Sequence, residues 1–278
     1  MLFRSVLRGD IPLTTINKLS DGNHTISVRS KDALGNWDLQ PAASLANVVL
    51  LVDKTAPTLT SVTPNPATVS FGAPGTTTFT AVGATDGGSG LNGGQYWIDG
   101  TTTPPAVTTA FSGTTFAMTT SGLGGGTHTV FARVADAAGN YSLVRSATFY
   151  VVQAVADTRT ITADTTTAQP ANVGAPGLLL NDQPVGLAGR AVRLASAPTR
   201  TAGPGTGTLT VSCQGGTAAT PAIGGQTVCT NGAYRFTLNG VGANGAARQA
   251  SKRGTFQFTY TEILNGITSN ATVTITVT

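Results

Sequence analysis

Between His128 and Ala135 the side chains alternate. His128, Val130, Ala132 and Val134 share one face, and Thr129, Phe131 and Arg133 share the other. A period of two marks a half-buried β-strand. An earlier stretch repeats the parity, with His24, Ile26, Val28 and Ser30 set against Thr25, Ser27 and Arg29. Apolar residues recur at matched positions, so the first face is the core side. Phe131, matched by Ser27, is then expected to look outward or towards a neighbouring domain. Similar short runs predict strands at Thr58–Val62, Thr76–Val82, Gln95–Ile98, Ala106–Phe111, Thr114–Met118 and Val144–Val152. Seven strands punctuated by Gly, Pro and Asn turns fit a β-sandwich.

The alternation belongs to a longer repeat. Leu19–Trp37 returns 104 residues later as Leu123–Tyr141, with nine of nineteen positions identical. A period near 100 residues is the size of a whole β-sandwich domain, too long for a solenoid unit. In the 278 residues this predicts three units: 1–53 as the C-terminal half of a repeat, 54–153 as a complete one and 154–278 as a third of different pattern. The fold class expected is all-β, with tandem immunoglobulin-like sandwiches of which the first is incomplete. On this reading the chain is a fragment of an array, and Met1 is an internal start or a boundary.

Composition narrows the function classes. Charged residues make up 10% of the chain and the formal net charge is +4. The densest basic spots, Arg190/Arg193 and Arg248/Lys252/Arg253, are not interleaved with aromatics, so a nucleic-acid partner is not expected. No run approaches the ~20 apolar residues of a membrane span. Long runs of strong helix formers are missing, and the 40% hydrophobic share argues for a packed core over a disordered linker.

GTHTVFARVADAAGNYS at 126–142, ATDGGSGLNGGQYWIDG at 84–100 and VLLVDKTAPT at 49–58 resemble the bacterial Ig-like repeats of large secreted and surface proteins, over residues 19–153. The last unit is similar to bacterial cadherin-like repeats through GAPGLLLNDQPVG at 174–186, GAYRFTLN, GTFQFTYT and the closing SNATVTITVT. It departs from them in a Cys-bearing insertion around 214–228 and in Pro184-Val185, where an acidic residue is usual. The resemblance implies a non-enzymatic stalk, spacer or adhesive module outside a bacterial cell, with neighbouring repeats, a surface ligand or a polysaccharide as partners. Some such repeats bind calcium near domain junctions.

Catalytic patterns are missing from the sequence. Gly87-Gly88-Ser89-Gly90 fails the nucleophile-elbow pattern, His24 and His128 are duplicated strand-start residues, and Glu262 is the only glutamate. Asp-Ala-Xaa-Gly-Asn at 32–36 and 136–140 reads first as a tight turn. Calcium needs six to eight oxygens, and Asp53, Asp86, Asp99, Asp136 and Asn140 could supply some of them, with Asp53, Asp86, Asp136 and Asn140 as the candidate site. For the alternative function, a polysaccharide-binding accessory module of a secreted enzyme, Tyr96 and Trp37 are the candidate stacking rings. Tyr96 and Trp97 are adjacent in a strand, so one of them faces the core, and Trp97 fits the buried tryptophan of such sandwiches. In an exported protein Cys213 and Cys229 are expected to form one disulfide; the other reading is two unpaired thiols.

Overall fold

A computed structural model describes residues 10–37, 46–72 and 76–278. The described residues are nearly all β, with 49% of them in strands and 6% in helices. The expectations about Met1 fall outside the described residues. Two compact units emerge: residues 1–63, 80–116 and 131–146 in one, and 64–79, 117–130 and 147–278 in the other.

After a single helical turn, α1 (Leu13–Ile16), come β1 (Gly22–Val28) and β2 (Ala46–Val52), an antiparallel pair in which His24 lies opposite Leu50 and Ile26 opposite Val48. The next segment holds β3 (Ser61–Asn65), β4 (Thr68–Ser70), β5 (Thr76–Val82), β6 (Leu91–Ile98), β7 (Thr109–Phe111), β8 (Thr115–Thr119), β9 (Gly126–Asp136) and β10 (Arg145–Val152). One sheet runs β4-β10-β9-β6-β7 and the other β3-β5-β8. β4 was not expected from the sequence, being only three residues long and following β3 across Pro66-Ala67. Thr58 makes only an isolated bridge to Thr85, so the predicted Thr58–Val62 strand starts later.

Val130, Ala132 and Val134 are fully buried, as the alternation requires. Phe131 is a correction: it is buried rather than turned outward. Its ring stacks on Trp97 at 5.9 Å, and Trp97 donates its indole N–H to the Thr101 carbonyl at 2.9 Å. Tyr96 is the residue that faces the opposing sheet, stacked on Phe116 of β8 at 4.5 Å. Trp97 is therefore buried as expected, but on the outer face of its sheet, beneath Phe131.

The third segment contains β11 (Asp157–Ile161), β12 (Ala168–Val173), β13 (Ala191–Leu194), β14 (Thr199–Ala202), β15 (Thr208–Ser212), β16 (Tyr234–Asn239), the helix α2 (Gly245–Lys252), β17 (Gly254–Leu264) and β18 (Ile267–Val277). The sheet β11-β18-β17-β13, joined by β14 on β17, accompanies the sheet β12-β16-β15. Tyr234, Phe236 and Leu238 from β16 meet Phe256, Phe258, Tyr260, Val273 and Ile275 in one core. Cys213 and Cys229 are joined in a disulfide that closes the inserted loop, their Cα atoms 4.6 Å apart.

The helix α2 was not foreseen. Asn244 caps it, accepting the Ala247 N–H at 2.9 Å, and the Ala-Ala-Arg-Gln run favours helix. It turns a basic spot inward: Lys252 is fully buried and paired with Asp164. Arg190, in the other basic spot, is likewise buried, 2.6 Å from Glu262.

Candidate functional site

The Asp-Ala-Xaa-Gly-Asn turn folds the same way in both copies. Asp136 donates its N–H to the Asn140 carbonyl at 3.1 Å, and its carboxylate accepts the Asn140 N–H and Nδ2, each at 2.8 Å. In the first copy Asp32 makes the same three bonds to Asn36 at 2.9, 2.8 and 3.0 Å. Gly35 and Gly139 sit at φ +92° and +95°, which a side chain would oppose. His24 and His128 bond the carbonyls of Ser20 and Gly124 at 2.8 and 2.9 Å, the same anchor at the start of β1 and β9.

The second copy carries more than a turn. Ligand oxygens of Asp53, Asp86 and Asp136 lie within 4.8 Å of one another, the one such group of metal-ligating side chains among the described residues. Asp53 follows β2 and receives the Ser89 N–H at 2.7 Å and the Thr55 N–H at 3.2 Å. The Ser89 hydrogen bonds hold its carboxyl below the ordinary carboxylate range. Asp86 opens the glycine-rich loop and takes the Gly88 and Gly90 N–H groups on Oδ2 at 3.0 and 2.7 Å. Its Oδ1 is buried without a hydrogen-bond partner. Asp136 is 1% exposed. A pocket of about 360 Å³, lined by Asp21, Asp53, Gly87 and Gly88, opens beside Asp53.

Three carboxylates this close repel one another unless a cation or a proton intervenes. Backbone N–H groups hold one oxygen of Asp86 and leave the other free, an arrangement that fits a hard divalent cation. Asn140 Nδ2 donates to Asp136 Oδ2 at 2.8 Å and to the Asp53 carbonyl at 3.1 Å, tying the two acidic residues together. Ser89 was missed: its Oγ accepts the Ala138 N–H at 3.1 Å and ties the glycine loop to the turn.

The two candidate stacking rings part company. Tyr96 is half-buried, its ring stacked on Phe116 at 4.5 Å and tilted against Phe111 at 6.5 Å. Trp37 is 51% exposed, with Lys31 and Arg29 5.2 and 5.6 Å from its ring. Its counterpart Tyr141 is 39% exposed under Arg133 at 3.8 Å.

Sequence reasoning also missed three carboxylates of the C-terminal sandwich whose charged form burial opposes: half-buried Asp157 and fully buried Asp182 and Glu262. The signal was there: Glu262 sits at the core-facing parity of Phe256, Phe258 and Tyr260. Burial pushes its carboxyl up to about 7 in spite of Arg190.

No protein-family model matches this chain, and no curated protein does. Among solved structures, a surface glycan-binding protein (SGBP-B) of the Bacteroides ovatus mixed-linkage glucan utilization locus, in complex with a heptasaccharide, aligns over 93% of this chain at 15% identity and TM-score 0.19. An endo-fucoidan hydrolase of glycoside hydrolase family 107, MfFcnA9, aligns over 75% at 16% identity and TM-score 0.21. The chain spans 54% of the first structure and 32% of the second. Neither TM-score establishes a shared overall arrangement. Among the described residues no helix is long and apolar enough to cross a membrane.

Proposed function

We propose that this chain is a non-catalytic, extracellular segment of a bacterial surface or secreted protein, in which tandem Ig-like sandwiches space or present a functional end. The observation that carries this reading is the duplication itself. Strand, histidine anchor and Asp-Asn turn recur with the same hydrogen bonds at a 104-residue interval, as an array of one domain type would have them. The disulfide fits an oxidising compartment. In this reading Asp53, Asp86 and Asp136 hold a calcium ion where the segment after β2 meets the Asp136 turn, and bound calcium would supply charge neutralisation and a fixed crosslink.

The test is calcium titration of the intact chain. With a dissociation constant of ~0.1 mM, typical of extracellular modules, calcium at about 100 times that value adds ~2.7 kcal/mol to stability. The melting temperature should rise with calcium and fall back with EDTA, and Asp86→Asn should abolish the rise. Identical melting with and without calcium leaves the cluster as a hydrogen-bonded turn.

The exposure of Trp37 favours a second reading, the polysaccharide-binding accessory module. As a spacer, the chain should wash off cellulose, chitin and starch. Retention on any of them that disappears in Trp37→Ala would overturn the spacer assignment in favour of the accessory module.

A further inference from the structure

The C-terminal sandwich holds more buried hydrogen-bond acceptors than donors at one place. The Tyr260 hydroxyl carries one proton, yet three oxygens surround it: Asp182 Oδ1 at 2.7 Å, the Val155 carbonyl at 3.0 Å and the Leu178 carbonyl at 3.1 Å. Nearby, Asp157 Oδ2, Asn181 Oδ1 and Asp182 Oδ2 are buried with no hydrogen-bond partner. Asp182 is fully buried, and Arg190 reaches its Oδ2 only at 3.9 Å while bonding Glu262 at 2.6 Å. Unfilled acceptors in a core lose hydrogen bonds to water without replacement, so an extra proton is favoured there.

The acceptors surround a particular piece of chain. Asp182 Oδ1 takes the Val155 N–H at 2.6 Å, and Asn181 Nδ2 lies 3.4 and 3.3 Å from the Val155 and Ala156 carbonyls. That stretch leads into β11, whose only sheet partner among the described residues is β18, in parallel register from Asp157–Val273 to Ile161–Val277. We propose that the acceptor-rich cluster of Asp157, Asp182 and Tyr260 holds one carboxylic proton in mildly acidic solution, and that this proton latches residues 155–161 onto the C-terminal sandwich. Removing it leaves half-buried Asp157 and buried Asp182 both charged and frees β11 from the edge of β18.

The surrounding charges agree. Arg190 and Asp182 come from the stretch between β12 and β13, Tyr260 and Glu262 from β17, Tyr234 from β16 and Arg159 from β11; β12 and β18 bring no titratable side chain. Burial and the neighbouring Asp182 push the Asp157 carboxyl up to about 6, and burial raises Asp182 against the lowering pull of Val155, Tyr260 and Arg190. For a carboxyl raised in the folded state, the stabilisation is complete below its ordinary value of 3.8 and is lost as pH rises through about 6. The latch closes in acid and loosens towards alkaline pH.

Hydrogen exchange of the intact chain, corrected for intrinsic rate, tests this at pH 5 and pH 8. Amides of 155–161 should open about tenfold more often at the higher pH, the ratio expected from one unit of differential protonation. In Asp157→Asn the side-chain amide replaces the proton, and the two pH values should give equal opening. An unchanged pH response in that variant overturns the proposal. If the variant does not fold, carboxyl carbon shifts of the wild-type chain decide instead: an Asp157 midpoint above about 5 supports a held proton, and one near the ordinary ~3.9 removes it. Calcium that restores protection at pH 8 would show that a cation, not a proton, occupies the cluster, and would equally overturn it.

Discussion

Trp97→Ala is expected to destabilise the middle sandwich by about 3–5 kcal/mol, the usual cost of removing a large buried aromatic. Trp97 is 6% exposed, stacks flat on Phe131 at an interplanar angle of 9° and donates to the Thr101 carbonyl. The substitution also strips the cover from Phe131, leaving an apolar ring on the outer face of the sheet. Trp97→Phe keeps a stacked ring and loses the N–H bond, so it should cost about 1 kcal/mol. Denaturant unfolding followed by circular dichroism gives both values. A Trp97→Ala loss below ~1 kcal/mol would mean that the stack is a loose surface contact.

That outer-face pair marks the boundary of what alternation can reveal. The period of two placed Val130, Ala132 and Val134 on one face, and all three are fully buried. It could not reveal that the opposite face is locally covered too, because cover comes from a cross-strand partner whose register lies outside the local pattern. Phe131 meets Trp97 only because β9 and β6 are neighbours in the sheet. The same limit misplaced Tyr96. As one of two adjacent aromatics it faces the sheet interior, a choice that Phe116 of β8 makes and sequence spacing does not.

The acidic cluster was more legible. Asp53, Asp86 and Asp136 were candidates because oxygen ligands at strand ends suit calcium, and the fold brings the three within 4.8 Å. Asn140 was assigned from residue type alone, which does not signal its bond to the Asp53 carbonyl. For Asp157 and Asp182, 25 residues apart in the chain, neither spacing nor neighbours signalled that they would meet at Tyr260.

Charge runs were the least reliable guide. Arg248, Lys252 and Arg253 form one of the densest basic spots of the sequence, yet helix α2 separates their fates. Arg253 is exposed, whereas Lys252 is fully buried, its Nζ paired with Asp164 Oδ1 and 3.4 Å from both the Asp164 carbonyl and Thr166 Oγ1. Its stem lies against Gly240, where a built Cβ would meet Cε at 3.0 Å, so side chain and glycine fit one another. Lys252→Ala is expected to cost about 2–4 kcal/mol. It falls short of the full penalty for splitting a buried pair because Asp164, with its side chain 42% exposed, can be rehydrated. Lys252→Met keeps the stem volume and should recover about half of the loss, since much of it is packing. Arg253→Ala should stay within ~0.5 kcal/mol of wild type. Unfolding curves for the three variants separate the contributions, and equal effects at 252 and 253 would show that the run is a solvated surface.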